Sequence, residues 1–69
     1  MLRCQVRRLD LKKTQYDIER ETGIRQSDVS AIERGRVNPT PEELQALSLA
    51  LGLPVEKLLE EVIFVEQTK

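Results

Sequence analysis

Histidine and tryptophan are absent from the 69 residues, cysteine occurs once, and Tyr16 and Phe64 are the only aromatics. Each shortage closes off some chemistry. Without histidine the chain lacks a common metal ligand and the usual general base at neutral pH. A lone Cys4 permits neither an intrachain disulfide nor a cysteine zinc cluster; within a helical pattern it reads as a small buried apolar residue. The core must therefore be aliphatic. No apolar run approaches the ~20 residues of a membrane span, and nothing near Met1 resembles a secretory leader. No nucleophile–base pair, metal cluster or phosphate-cradling loop is present, so neither an enzyme nor a cofactor or metal site is expected. The remaining class is a soluble, cytoplasmic, all-α domain, thin because a short chain buries a limited share of its surface.

The net charge of −1 argues against a polyanion as partner, but its distribution argues for one. Residues 1–36 carry nine Lys/Arg against six Asp/Glu, a net +3, whereas residues 37–69 carry two against six, a net −4. A basic half joined to an acidic half suits a domain with one face toward phosphate and the other toward solvent or a protein partner.

Punctuation divides the chain into five helices. The first spans about residues 2–11 and carries two apolar stripes, Cys4/Leu11 around Arg8 and Leu2/Val6/Leu9, pointing in nearly opposite directions at 100° per residue. Thr14 opens the second as N-cap, with Asp17 at the capping-box position, and Gly23 closes it. The third starts at Arg25 or Gln26 and ends near Arg34, before Gly35. Thr40, Pro41 and Glu43 open the fourth, which Gly52 closes. Pro54 opens a fifth that is expected to run on into "EEVIFVEQTK".

Two short helices around one glycine-centred turn form a helix-turn-helix. Ile18, Ile24, Val29 and Ile32 are placed to pin the pair, leaving the outer face of the second member free to enter a DNA major groove. The stretch "TQYDIERETGIRQSDVSAIERGRVNPTPEELQALSLALGLPVEKLL" resembles the Cro/phage-repressor (Xre-like) helix-turn-helix regulators. The resemblance covers about Arg8 to Leu59. It rests on Thr14-Gln15, Gly23-Ile24, Ser30, Ile32-Glu33-Arg34-Gly35, Asn38-Pro39 and Ala50-Leu51-Gly52 in that order and spacing.

The resemblance implies a five-helix lambda-repressor-like domain over residues 1–61, followed by a C-terminal extension over 62–69. It implies double-stranded DNA as partner and assigns roles by residue. Gln26, Ser27, Ser30 and Ala31 face base edges, and Asp28, which the family pattern leaves open, joins them as a candidate from its own chemistry; glutamine suits adenine, whose N6 and N7 it bonds in bidentate fashion. Gln15, Arg34, Arg36 and Asn38 contact phosphates, which set register rather than sequence preference, and Tyr16 and Arg25 join them as candidates from their own chemistry. Arg8 and Glu33 form a structural ion pair. Blander roles stand beside these: solvated arginines, polar helix-start residues, and a Tyr16 that covers the core. Departures from the family pattern are Glu19 and Thr22 in place of a small and an aliphatic residue, and Arg25 in place of a Ser/Thr cap. Lys12-Lys13 replaces Gly-Leu. Asp28 sits beside the groove, where it accepts from a cytosine amino group or points aside. The Glu19 carboxylate is expected in water or near an arginine.

One recognition helix reads few base pairs, so a homodimer on two half-sites is expected. Leu49, Val62, Ile63, Phe64 and Val65 are surplus to a single core and form its candidate interface; the competing expectation folds the tail onto its own first helix. A repressor is expected, since the 69 residues hold nothing further to sense a ligand or recruit a polymerase. The alternative is a protein-interaction module or antitoxin that uses the same fold and binds a partner through the acidic C-terminal half.

Overall fold

Five helices bounded by the residue types that end helices make up the computed structural model, which describes residues 1–63. They are α1 (Arg3–Asp10), α2 (Gln15–Thr22), α3 (Gln26–Glu33), α4 (Pro41–Leu51) and α5 (Val55–Leu58). Two capping boxes set the starts of α2 and α4. Thr14 Oγ1 accepts from the Asp17 amide at 3.0 Å while Asp17 accepts from the Thr14 amide at 2.8 Å. Thr40 and Glu43 repeat the exchange at 3.1 and 2.9 Å. Each box satisfies two amides that the helix itself leaves open. At the end of α2, Gly23 takes φ +80° and donates to Glu19 O, a left-handed conformation that side chains resist. The first four helices thus lie within a residue or two of the sequence reading.

The fifth does not. α5 is a single turn, and past Leu59 the chain turns back instead of continuing as a helix. Leu2 and Glu61 form an antiparallel bridge, flanked by Arg3 N–H to Glu60 O at 2.8 Å and Val62 N–H to Met1 O at 2.9 Å. The Met1 ammonium pairs with Glu61, and Arg3 with Glu60 at 2.7 Å. Two acids facing two cations, followed by β-branched Val62 and Ile63, favour an extended return over a helix with no partner to cover it.

The core consists of Cys4, Ile18, Ile24, Val29, Ile32, Leu47, Leu51 and Leu58, with Leu2, Leu44 and Leu53 packed against it. Full burial of a side chain such as Ile18 contributes roughly 1.5–3 kcal/mol. α4 is the hub, packing against α1, α2 and α5, while α3 leans on α2. On α1 the stripe through Cys4 and Arg8 faces inward, but Leu11 is exposed. The opposite stripe is divided: Leu2 reaches the core, Val6 is half-buried and Leu9 is exposed, since the returning segment pairs only with residues 1–3.

Two cations close the C-terminal end of α4. Arg7 Nε donates to Leu51 O at 2.8 Å, and Lys13 Nζ donates to Ala50 O at 3.1 Å and to Glu21 at 2.8 Å. Both satisfy carbonyls that the helix leaves open and complement its negative end. Lys12 takes φ +59° in the α1–α2 junction, where the family pattern has glycine. The junction keeps its left-handed turn despite the substitution.

Candidate nucleic-acid interface

The turn at Gly23 and Ile24 sets α3 against α2, and the faces of α3 follow from its periodicity. Val29, Ile32 and Glu33 point inward and are buried. Ser27 and Arg34 are exposed on the opposite face, with Ser30 and Ala31 half-exposed beside them. Gln26 and Asp28 occupy opposite flanks. Gln26 leans on α2, while Asp28 borders a surface cleft of about 260 Å³ that it shares with Thr22, Arg25, Glu42, Glu43 and Ala46. Arg25 Nε stands 3.8 Å from the Asp28 carboxylate. Asp28 therefore belongs to the rim of the exposed face and not to its middle.

A chain of polar contacts runs from the core to that face. Arg8 and Glu33 are both 7% exposed and form a two-pronged pair, Nε to Oε2 at 2.7 Å and Nη2 to Oε1 at 3.1 Å. Arg8 Nη1 also donates to Lys13 O at 2.8 Å. Glu33 Oε1 accepts from Gln15 Nε2 at 2.9 Å, and Gln15 Oε1 accepts from Gln26 Nε2 at 2.7 Å. The carboxylate can only accept, so the Gln15 amide must turn its nitrogen inward and its oxygen toward Gln26. Gln26 is thereby oriented from the core and keeps its Oε1 and one N–H for a partner outside. Among the described residues, every buried side-chain nitrogen and oxygen has a partner.

Glu19 departs from the expectation of a carboxylate in water or near an arginine. Its Oε1 accepts from the Gln26 amide at 3.1 Å, capping α3 in place of Arg25, whose side chain makes no capping bond. The reason is local: Gln15 and Glu19 lie four residues apart on one face of α2, and that face meets the start of α3. Thr22 is a contributor that the sequence reading missed. Its hydroxyl donates to Ile18 O at 2.7 Å and accepts from the Ile24 amide at 3.1 Å, which ties the turn together. Hydroxyl residues bond nearby backbone in turns, so its position next to Gly23 carried that signal.

The candidate phosphate ligands lie on the first turn of α2, at the two ends of α3 and in the loop after it. Arg25, Arg34, Arg36 and Asn38 are exposed, and among the described residues the side chains of Arg34, Arg36 and Asn38 hold no ion pair or hydrogen bond. Tyr16 is 60% exposed, too open to act as a lid on the core. Arg20 pairs with Asp17 one turn along α2. The backbone amide of Thr14 holds the Asp17 carboxyl below its usual range, aided by Arg20. Burial pushes the Cys4 thiol up to about 11, with Glu33 adding to the effect.

The candidate dimer residues differ in exposure. Leu49 and Ile63 are strongly exposed, whereas Val62 is half-buried and its amide is bonded to Met1. Phe64 and Val65 lie outside the described residues. Among the described residues no acidic or cysteine cluster could hold a metal ion, and no helix is long and apolar enough to cross a membrane.

A family model described as helix-turn-helix matches residues 5–58, which takes in all five helices but for the first residues of α1. No curated protein and no solved structure matches the chain. With its all-α architecture and its α2–turn–α3 unit, the chain belongs to the Cro/Xre-type helix-turn-helix family of DNA-binding regulators.

Proposed function

We propose that the domain binds operator DNA with α3 in the major groove and acts as a repressor by occluding the site it occupies. The observation that carries this reading is the exposed face of α3, with the Gln26 amide oriented by Gln15 and with Arg34 and Arg36 exposed at the far end. Gln26, Ser27, Ser30 and Ala31 read base edges in this arrangement, with Asp28 at the rim. Gln15, Tyr16, Arg25, Arg34, Arg36 and Asn38 hold phosphates. One such helix discriminates few positions, at ~1–3 kcal/mol each, so the functional unit is a homodimer on half-sites about 34 Å apart. Leu49 and Ile63 supply exposed apolar surface for it. The protein works in the cytoplasm, on the nucleoid when bound.

Selection of sites from random duplexes, followed by Gln26→Ala and Arg36→Ala on the selected site, tests the assignment. Gln26→Ala relaxes preference at one base position, and Arg36→Ala weakens binding to all sequences and lowers the salt slope by about one. Equal effects of both variants on selected and random DNA overturn it. The acidic C-terminal half and the exposed Leu49 favour a second reading, an antitoxin or other protein-binding module. Binding to DNA that is weak, sequence-independent and flat with salt supports that reading instead.

A further inference from the structure

We propose that Glu19 is a positioning and specificity-determining residue: it fixes the first residue of α3 and biases the base position facing Gln26 against guanine. The inference rests on the reading of α3 as the base-reading helix. Two residues of α2 hold Gln26 at once. Glu19 Oε1 accepts from its main-chain amide at 3.1 Å, and Gln15 Oε1 accepts from its side-chain amide at 2.7 Å. Backbone and side chain of the same residue are thus anchored to one face of a neighbouring helix, which sets both the register of α3 and the direction of the Gln26 amide.

A neutral acceptor would serve the first purpose, so the carboxylate has a second effect. Glu19 is half-buried, and among the described residues no cation pairs with it; Arg25, the residue before Gln26, stands 3.8 Å from Asp28. Its negative charge therefore stands at the N-terminus of α3 with the amide of Gln26, and among the described residues no cation, to balance it, next to the side chain that meets the bases. A helix N-terminus is otherwise an attractive seat for phosphate. Occupied by Glu19, its amide is closed to phosphate, which leaves α3 to be held by side chains, Arg25 at this end and Arg34 and Arg36 at the other. Guanine presents two acceptors in the major groove, N7 and O6, whereas adenine and cytosine each present an amino donor. A fixed negative charge beside the reading side chain repels the first pattern and favours the second.

The test compares wild type, Glu19→Gln, Glu19→Ala and Gln26→Ala on the duplex selected by wild type and on its single-base variants, by fluorescence anisotropy with parallel thermal melts. Gln26→Ala marks the base position in question. Glu19→Gln keeps an acceptor for the Gln26 amide and the wild-type melting temperature. It binds all duplexes more tightly and, at the marked position alone, loses roughly three- to ten-fold of the discrimination against guanine. Glu19→Ala removes cap and charge together, lowering the melting temperature and broadening the same position. Glu19→Gln binding that tightens evenly, with preference at the marked position unchanged, overturns the proposal while leaving the DNA-reading assignment intact. Wild-type binding with no sequence preference, or a preference that Gln26→Ala does not touch, overturns that assignment and the proposal with it.

Discussion

Replacing Arg8 by methionine is expected to be among the most damaging single changes in this domain. The substitution keeps the length of the stem but removes the guanidinium, leaving Glu33 7% exposed with Gln15 as its remaining hydrogen-bond donor. Breaking a buried pair from one side costs roughly 3–5 kcal/mol, because the surviving charge stays desolvated. Domains of this size hold about 3–10 kcal/mol in total, at roughly 0.05–0.15 per residue. Arg8→Met therefore unfolds at 25 °C if the domain lies at the low end of that range, and loses about a third to a half of its stability at the high end. The partner substitution separates charge from packing. In Arg8→Met/Glu33→Leu no charge is left buried, and the remaining losses are one bond each for Lys13 O and Gln15 Nε2, about 1 kcal/mol apiece. Urea unfolding followed by helical circular dichroism measures this directly. With a slope near 1 kcal/mol per molar, the single variant loses about 3–5 M of its midpoint and the double variant recovers about 1–3 M of that. A single variant within 1 kcal/mol of wild type, or a double variant no better than the single, refutes the claim that the pair is desolvated.

Lys12 adopts φ +59°, a conformation that costs an L-residue roughly 1–2 kcal/mol. Lys12→Gly is expected to stabilise by about 0.5–1 kcal/mol after the entropy glycine gains when unfolded, seen as a melting temperature higher by a few degrees; a lower melting temperature contradicts the strain. Asp17 and Glu60 both titrate below their ordinary range, Asp17 chiefly through the Thr14 amide and Glu60 chiefly through Arg3. Their stabilisation is complete above the unfolded-state values of 3.8 and 4.5 and fades as pH falls through the lower folded values. Urea midpoints measured down through pH 4 to pH 2 should fall for wild type and fall less for Asp17→Asn, and parallel curves count against the assignment. Cys4, 2% exposed and with its thiol raised to about 11, stays protonated at neutral pH. Its alkylation by iodoacetamide is expected to track global unfolding, and rapid labelling of the folded protein contradicts the burial.

Much of this domain is written in short-range signals. The capping boxes at Thr14 and Thr40 close over three residues, and Gly23 and Gly52 end helices through their own dihedral preference. The start and end of α2, α3 and α4, and the inward-facing Ile18, Ile24, Val29 and Ile32, follow from such signals and from periodicity, so the helix-turn-helix was legible without coordinates. The Arg8–Glu33 pairing was not derivable from spacing, because 25 residues separate the partners; only the family resemblance suggested it.

What tertiary structure decided lies where distant parts of the chain meet. Arg7 and Lys13 look like members of a basic cluster, yet each caps α4 from 44 and 37 residues away. Glu19 looks like a misplaced charge on α2 and becomes the cap of α3, because an acceptor there meets an amide that Arg25 leaves open. The tail reads as helical by its glutamates, yet Glu60 and Glu61 return to Arg3 and Met1, the latter 60 residues back. A residue's local preferences are settled within one helical turn, and the sequence displays them. Which charge or amide waits across the fold depends on the packing of α4 against its neighbours, and only the folded chain brings those partners together.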